Sequence, residues 1–121
     1  MNQVIIQFDH WPDRILFPNA RPHHMAKAAS VRIAKEEAFW EARSAGSTHQ
    51  FQRATILILI TAKDNRKRDL DGFLSACKSW IDGIVEAGVL QDDNYFCVNQ
   101  MMIRFEGVGT ESTTIQITEV A

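Results

Sequence analysis

Cysteine is scarce in this chain of 121 residues: Cys77 and Cys97 are the only two, and no CxxC pair exists. That excludes a disulfide-knit scaffold and argues against a zinc site; both thiols are expected reduced and packed inside. Proline is confined to Pro12, Pro18 and Pro22, so the breaks it imposes gather in one early segment. No run of about 18 apolar residues occurs, and a membrane span is not expected. Residues 1–8 lack the basic start and long apolar stretch of a signal peptide, which points to a cytoplasmic protein. Repeats and low-complexity segments are absent. Tyr95 is the single tyrosine and follows Asp92 and Asp93. A phosphotyrosine nucleophile would need cations beside it, so that route is disfavoured.

What is present suits one soluble globular domain spanning residues 1–121, with 45% apolar and 23% charged residues. One modest core fits a chain of this size, and an oligomer would bury more surface. The net charge of −2 hides an asymmetry. Residues 1–68 hold eleven Lys/Arg against six Asp/Glu, a balance of +5, while residues 69–121 hold two against nine, a balance of −7. A basic half can hold phosphates, and an adjoining acidic cluster repels them unless it carries cations. A metal-dependent nuclease needs that combination.

The pattern predicts a strand over Gln3–Phe8, a proline-rich loop over 9–21 with Pro22 in a first helical turn, and a helix over 23–43 rich in Ala, Glu, Lys and Arg. Residues 44–50, with Gly46, Ser47 and Thr48, read as a turn. The apolar, β-branched run 54–61 reads as a strand buried on both faces. A basic turn over 63–68 leads into a helix over 71–87. Its Leu70, Phe73, Leu74, Cys77, Trp80, Ile81, Ile84 and Val85 keep the 3.6-residue period, and Gly88 caps it. Residues 95–105 read as a strand, Gly107 and Gly109 as a turn, and 113–118 as a half-buried strand. The order β-α-β-α-β-β implies an α+β domain with a small mixed sheet and two packed helices.

The chemistry concentrates around the second helix. Arg66, Lys67 and Arg68 stand directly before Asp69 and Asp71, and Asp92 and Asp93 follow the helix. Carboxylates at element ends form a candidate Mg²⁺ or Mn²⁺ site, because hard cations take oxygen ligands. The cations beside them can hold a phosphate backbone. Each piece alone has a plainer reading. Aspartate at a helix cap and in a first turn is worth about 1 kcal/mol with no function, and Asp92-Asp93 alone is a solvated turn. The three pieces bracketing one helix are harder to dismiss.

The run R-K-R-D-L-D, then an amphipathic helix, then E-A-G-V-L-Q-D-D, resembles the signature of RusA-type crossover-junction endodeoxyribonucleases. The resemblance covers residues 55–119, including the closing I-Q-I-T-E. Before that it is weaker, although P-N-A-R-P-H-H is similar to the N-terminal motif of phage-borne members. The resemblance implies a RusA-like fold and a homodimer. It also implies hydrolysis of two phosphodiesters at symmetric positions of a four-way DNA junction, in recombination or repair, with Mg²⁺ or Mn²⁺. The family's essential aspartates match Asp69, Asp71 and Asp93, with Asp92 an accessory metal ligand. The family has Asn where Gly72 stands and a functionally important Lys where Ser75 stands. Lys78, one turn on and on the same face, is the candidate replacement in catalysis.

Arg14, Arg21, His23, Lys27, Arg66, Lys67 and Arg68 are the candidate DNA contacts, and Phe17 a candidate wedge into a junction. His23 and His24 stand at a helix start, where free N–H groups favour anions. Trp11, Trp40 and Trp80 are expected in the core or an interface. A straight helix over 71–87 spans roughly 25 Å, and Asp93 lies beyond its end. Pairing two antiparallel copies is therefore the easier way to bring Asp93 of one chain to Asp69 and Asp71 of the other. Other readings stay open: a nuclease preferring flaps or forks, a junction-binding protein that has lost turnover through Gly72 and Ser75, and a small acidic module without a DNA role.

Overall fold

The computed structural model describes residues 2–46 and 49–121. Four strands form one sheet: β1 (Gln3–Phe8), β2 (Ala54–Ala62), β3 (Val98–Val108) and β4 (Ser112–Glu119). Their order is β1-β4-β2-β3; β4 runs antiparallel to both neighbours, and β2 and β3 are parallel. The helices are α1 (His24–Ala45), α2 (Leu70–Ala76) and α3 (Lys78–Glu86), with one 3₁₀ turn at Arg14–Leu16. The expected α+β class with a mixed sheet is what forms. Among the described residues no helix is long and apolar enough to cross a membrane.

The helices cover one face of the sheet. Val4, Ile6 and Phe8 of β1, Ile56, Ile58 and Ile60 of β2, and Ile115 and Ile117 of β4 point into that layer and are buried. Burying each such side chain is worth roughly 1.5–3 kcal/mol. Trp80 completes the core, stacked on Phe8 at 3.8 Å with the rings nearly parallel. Its Nε1 donates to Glu37 Oε1 at 3.1 Å. Strand β2 is therefore not buried on both faces as its composition suggested. Buried and half-exposed residues alternate along it, because among the described residues no second layer covers Thr55, Leu57, Leu59 and Thr61.

Helix α1 packs through a stripe of small residues, Ser30, Ala34, Ala38 and Ala42, set one turn apart. Against it lies Gly83 of α3, so close that a Cβ there would be 2.2 Å from the Lys35 carbonyl oxygen. Pro22 stands just outside α1, whose cap is His23; the His23 Nδ1 accepts the Met25 N–H at 3.2 Å. The helix runs on to Ala45, two residues past the expected end, and Gly46 follows with φ 72°. The Ser47 and Thr48 of the expected turn lie outside the described residues.

The second helix is interrupted once. The Cys77 N–H reaches back to the carbonyls of both Phe73 (3.0 Å) and Leu74 (3.2 Å), which tightens the chain for one residue between α2 and α3. Cys77 and Cys97 are buried and free, and burial pushes the Cys77 thiol up to about 12.

Strand β3 begins three residues later than expected. Asn94 Oδ1 accepts the N–H groups of Phe96 and Cys97 at 3.0 and 3.1 Å, closing a turn that leaves Tyr95 and Phe96 exposed. It also ends later, at Val108. The expected break at Gly107 is a bulge instead, where the β2–β3 register shifts and Gly107 takes φ 150°.

Candidate active site

Two distant segments meet over the start of α2. The proline-rich loop is fixed first. Asp13 accepts the Ile15 N–H at 3.1 Å through Oδ1 and the Ser30 hydroxyl at 3.1 Å through Oδ2, tying the loop to α1. Trp11 Nε1 donates to the Thr61 carbonyl at 2.8 Å, joining the loop to the end of β2. Trp11 and Phe17 both meet Phe73 of α2 edge-on, at 4.9 and 5.1 Å. Trp11 and Trp80 thus serve the packing; Trp40 remains exposed on α1.

The segment after β2 is organised by Asp64. Its carboxylate accepts the Arg66 N–H at 3.0 Å and Arg68 Nη2 at 2.7 Å. These bonds, the backbone one first, hold the Asp64 carboxyl down to about 2. Arg68 Nη1 also donates to the carbonyls of Asp64 (3.2 Å) and Arg66 (2.8 Å), and its guanidinium lies 5.1 Å from the Trp11 ring centre. Arg68 is therefore a fastener of this turn, with most of its donors already engaged.

Between the two segments runs a groove of about 930 Å³. Arg14, Lys63, Arg66, Arg68, Asp69 and Asp71 line it, with Trp11, Phe17 and Glu111. Asp69 occupies the cap position of α2, yet its side chain makes no capping hydrogen bond. The capping bond that would explain this carboxylate structurally is not made. Asp71 lies exposed in the first turn, Oδ1 accepting the Gly72 N–H at 3.0 Å. A Cβ on Gly72 would stand at ordinary contact distance from Phe17 and Pro18, 3.9 and 4.0 Å away.

The remaining expected site residues gather elsewhere. Asp92 is spent on its own turn, Oδ1 accepting the Asp93 N–H at 2.7 Å and Oδ2 the Asn94 amide at 3.2 Å. Asp93 pairs with Lys78, which also donates to Asp82 at 2.7 Å. The Lys78 bond holds the Asp93 carboxyl below its usual range. Burial pulls Lys78 down, but its two carboxylate partners outweigh that and leave it raised. The linker after α3 has thus turned back: Asp93 sits at the first residue of α3, not beyond its end. Lys78 is still seven residues from Asp71, roughly 10 Å along a helix axis. Among the described residues no three His, Cys, Asp or Glu side chains converge closely enough to hold a metal.

Arg21, His23 and Lys27 do not line the groove. All three are exposed; His23 caps α1 and stacks on His24 at 4.4 Å. Lys67 lines a neighbouring cavity of about 290 Å³ with Leu70 and Phe105. Of the groove residues, Glu111 drew no attention as sequence and Lys63 only as the start of the basic turn. Lys63 lies in the same segment as Asp69, while Glu111 is brought there across the sheet, where the Gly109 N–H donates to the Ala62 carbonyl at 2.8 Å.

No family model matches the sequence, and no curated protein matches it. One solved structure that resembles the chain is hydrogenase maturation protein HypE in complex with ATP. The identity is 10% and the TM-score 0.35, over 100% of this chain and 31% of that one. The chain thus spans under a third of that protein's length, and the likeness is too slight to bear on fold or site.

In their donor chemistry, Asp69 and Asp71 fit a hard divalent cation. Magnesium is commonly held by one or two carboxylates, with waters and substrate phosphates completing its shell.

Proposed function

We propose that this chain is a metal-dependent endonuclease that cuts branched DNA, with four-way junctions as its substrate and a homodimer as its working form. The observation that carries this reading is the groove. It joins cations from the proline-rich loop and the end of β2 to two exposed carboxylates, one of which has a helix-cap position and no cap bond. The resemblance of residues 55–119 to RusA-type nucleases supports the same chemistry.

Asp69 and Asp71 would hold Mg²⁺ or Mn²⁺, which supplies charge neutralisation at the phosphodiester under attack. The groove's cations draw in the backbone and fix its register. Arg68 keeps the turn that carries Asp69 in place. Asp93 of a second copy would complete the carboxylate set, with Lys78 positioning it until the copies pair. That no three carboxylates converge among the described residues of one chain motivates this shared arrangement.

Labelled four-way junction and linear duplex, each with Mg²⁺ or with EDTA, test the reading. Paired symmetric nicks in the junction alone, lost in EDTA, are expected. Asp69→Asn should bind junction and not cut it. Cutting by that variant, or cutting in EDTA, refutes the assignment. Preference for flaps or forks would shift the substrate and keep the chemistry. Binding without nicking would make the chain a branched-DNA-binding protein.

A further inference from the structure

Phosphate contacts require cations that are not already spent. Arg68 donates to a carboxylate and two carbonyls and covers the Trp11 ring, and Arg66 shares Asp64 with it. Lys67 faces the neighbouring cavity. Within the basic run Arg68 is therefore committed, Lys67 is directed outside the groove, and Arg66 keeps a 3.4 Å contact to the carboxylate that Arg68 already holds. Arg14 and Lys63 are different: both are exposed groove residues, and among the described residues neither takes part in an ion pair or a side-chain hydrogen bond.

We infer that Arg14 and Lys63 are the pair that grips the DNA phosphate backbone against Asp69 and Asp71. The inference deepens the nuclease reading and rests on it. Both residues stand on anchored backbone. Arg14 follows Asp13, which is bonded to Ile15 and Ser30. Lys63 follows buried Ala62, whose carbonyl accepts the Gly109 N–H at 2.8 Å. A long flexible cation on a fixed base reaches phosphate while losing little backbone freedom. Charge makes the pair necessary as well. Asp64 offsets only one of Arg66 and Arg68, so a single positive charge from that run faces Asp69, Asp71 and Glu111, and Arg14 and Lys63 are what bring the groove to balance. Without them the carboxylates would turn a phosphate chain away.

The test is junction binding in EDTA, so that no cutting intervenes, across a series from about 50 to 200 mM salt. R14Q and K63Q should each lower affinity about tenfold, the loss of one charge-assisted contact. Each should also reduce the slope of log affinity against log salt by about one. K67Q, which removes the same charge outside the groove, should change little. Wild-type slopes in R14Q and K63Q, or an equal loss in K67Q, overturn the pair. If the parent protein nicks junctions while both variants bind as it does, only this inference falls. If the parent binds no junction in low salt, the nuclease reading falls with it. A readout without substitution guards against misfolding: bound junction should shield Lys63 from amine acylation, and equal labelling with and without DNA overturns its role.

Discussion

A methyl group at position 83 would have to share space with the Lys35 carbonyl oxygen, and backbone cannot swing aside as a side chain can. Gly83→Ala should therefore push α3 off α1 and cost about 1–3 kcal/mol or more, read from denaturant unfolding. Gly72→Ala makes a contrasting control. Its φ is ordinary and its Cβ would find normal contacts, so replacing a helical glycine should be neutral or stabilise by up to about 1 kcal/mol. A destabilised G72A would mean that the proline-rich loop presses closer on α2 than the distances indicate. Cys77, buried with its thiol raised to about 12, should resist alkylation in the folded protein and react once it is unfolded.

At the scale of elements, the turn between β2 and α2 depends on one ionised carboxyl. The folded Asp64 titrates at about 2, below its ordinary 3.8. Its contribution is present above the unfolded value and disappears as pH falls through about 2. Asp64→Asn should therefore be less stable than the parent from neutrality to about pH 4, with the difference closing near pH 2. A gap that persists in acid would place the effect outside the Arg66 and Arg68 bonds. The elements themselves were legible where the apolar signal is strong, as in the continuous run of β2 and the 3.6-residue period of the α2–α3 stretch. Helix α1 was legible from its composition, but its buried face was not, because its packing uses small residues. The buried stripe of α1 is Ser30, Ala34, Ala38 and Ala42, which carries little hydrophobic signal because close helix contact selects for size. The start of β3 was misplaced for a different reason. Tyr95 and Phe96 have strand-forming side chains, but Asn94 captures the local N–H groups first. The D-x-D pair was visible in the sequence. That it lies beside Arg14 was not, since that depends on a bond between residues fifty positions apart.

For the whole molecule, the decisive question is whether the carboxylates act within one chain or across two. Asp69→Asn and Asp93→Asn chains, each inactive alone, give an answer when mixed. If sites are shared, a mixed dimer retains one undamaged site and nicks one strand of a junction. If each site lies within one chain, both sites of the mixed dimer are damaged and nicking stays absent. The wiring of the sheet has another consequence. Among the described residues strand β1 pairs only with β4, so the earliest strand of the sheet is paired with its latest. A nascent chain leaving the ribosome therefore carries Val4, Ile6 and Phe8 unmatched until β4 emerges. A protein stopped after Val108 should show no cooperative melting transition by circular dichroism. The sheet is then closed by β4, the last of its own strands to be synthesised.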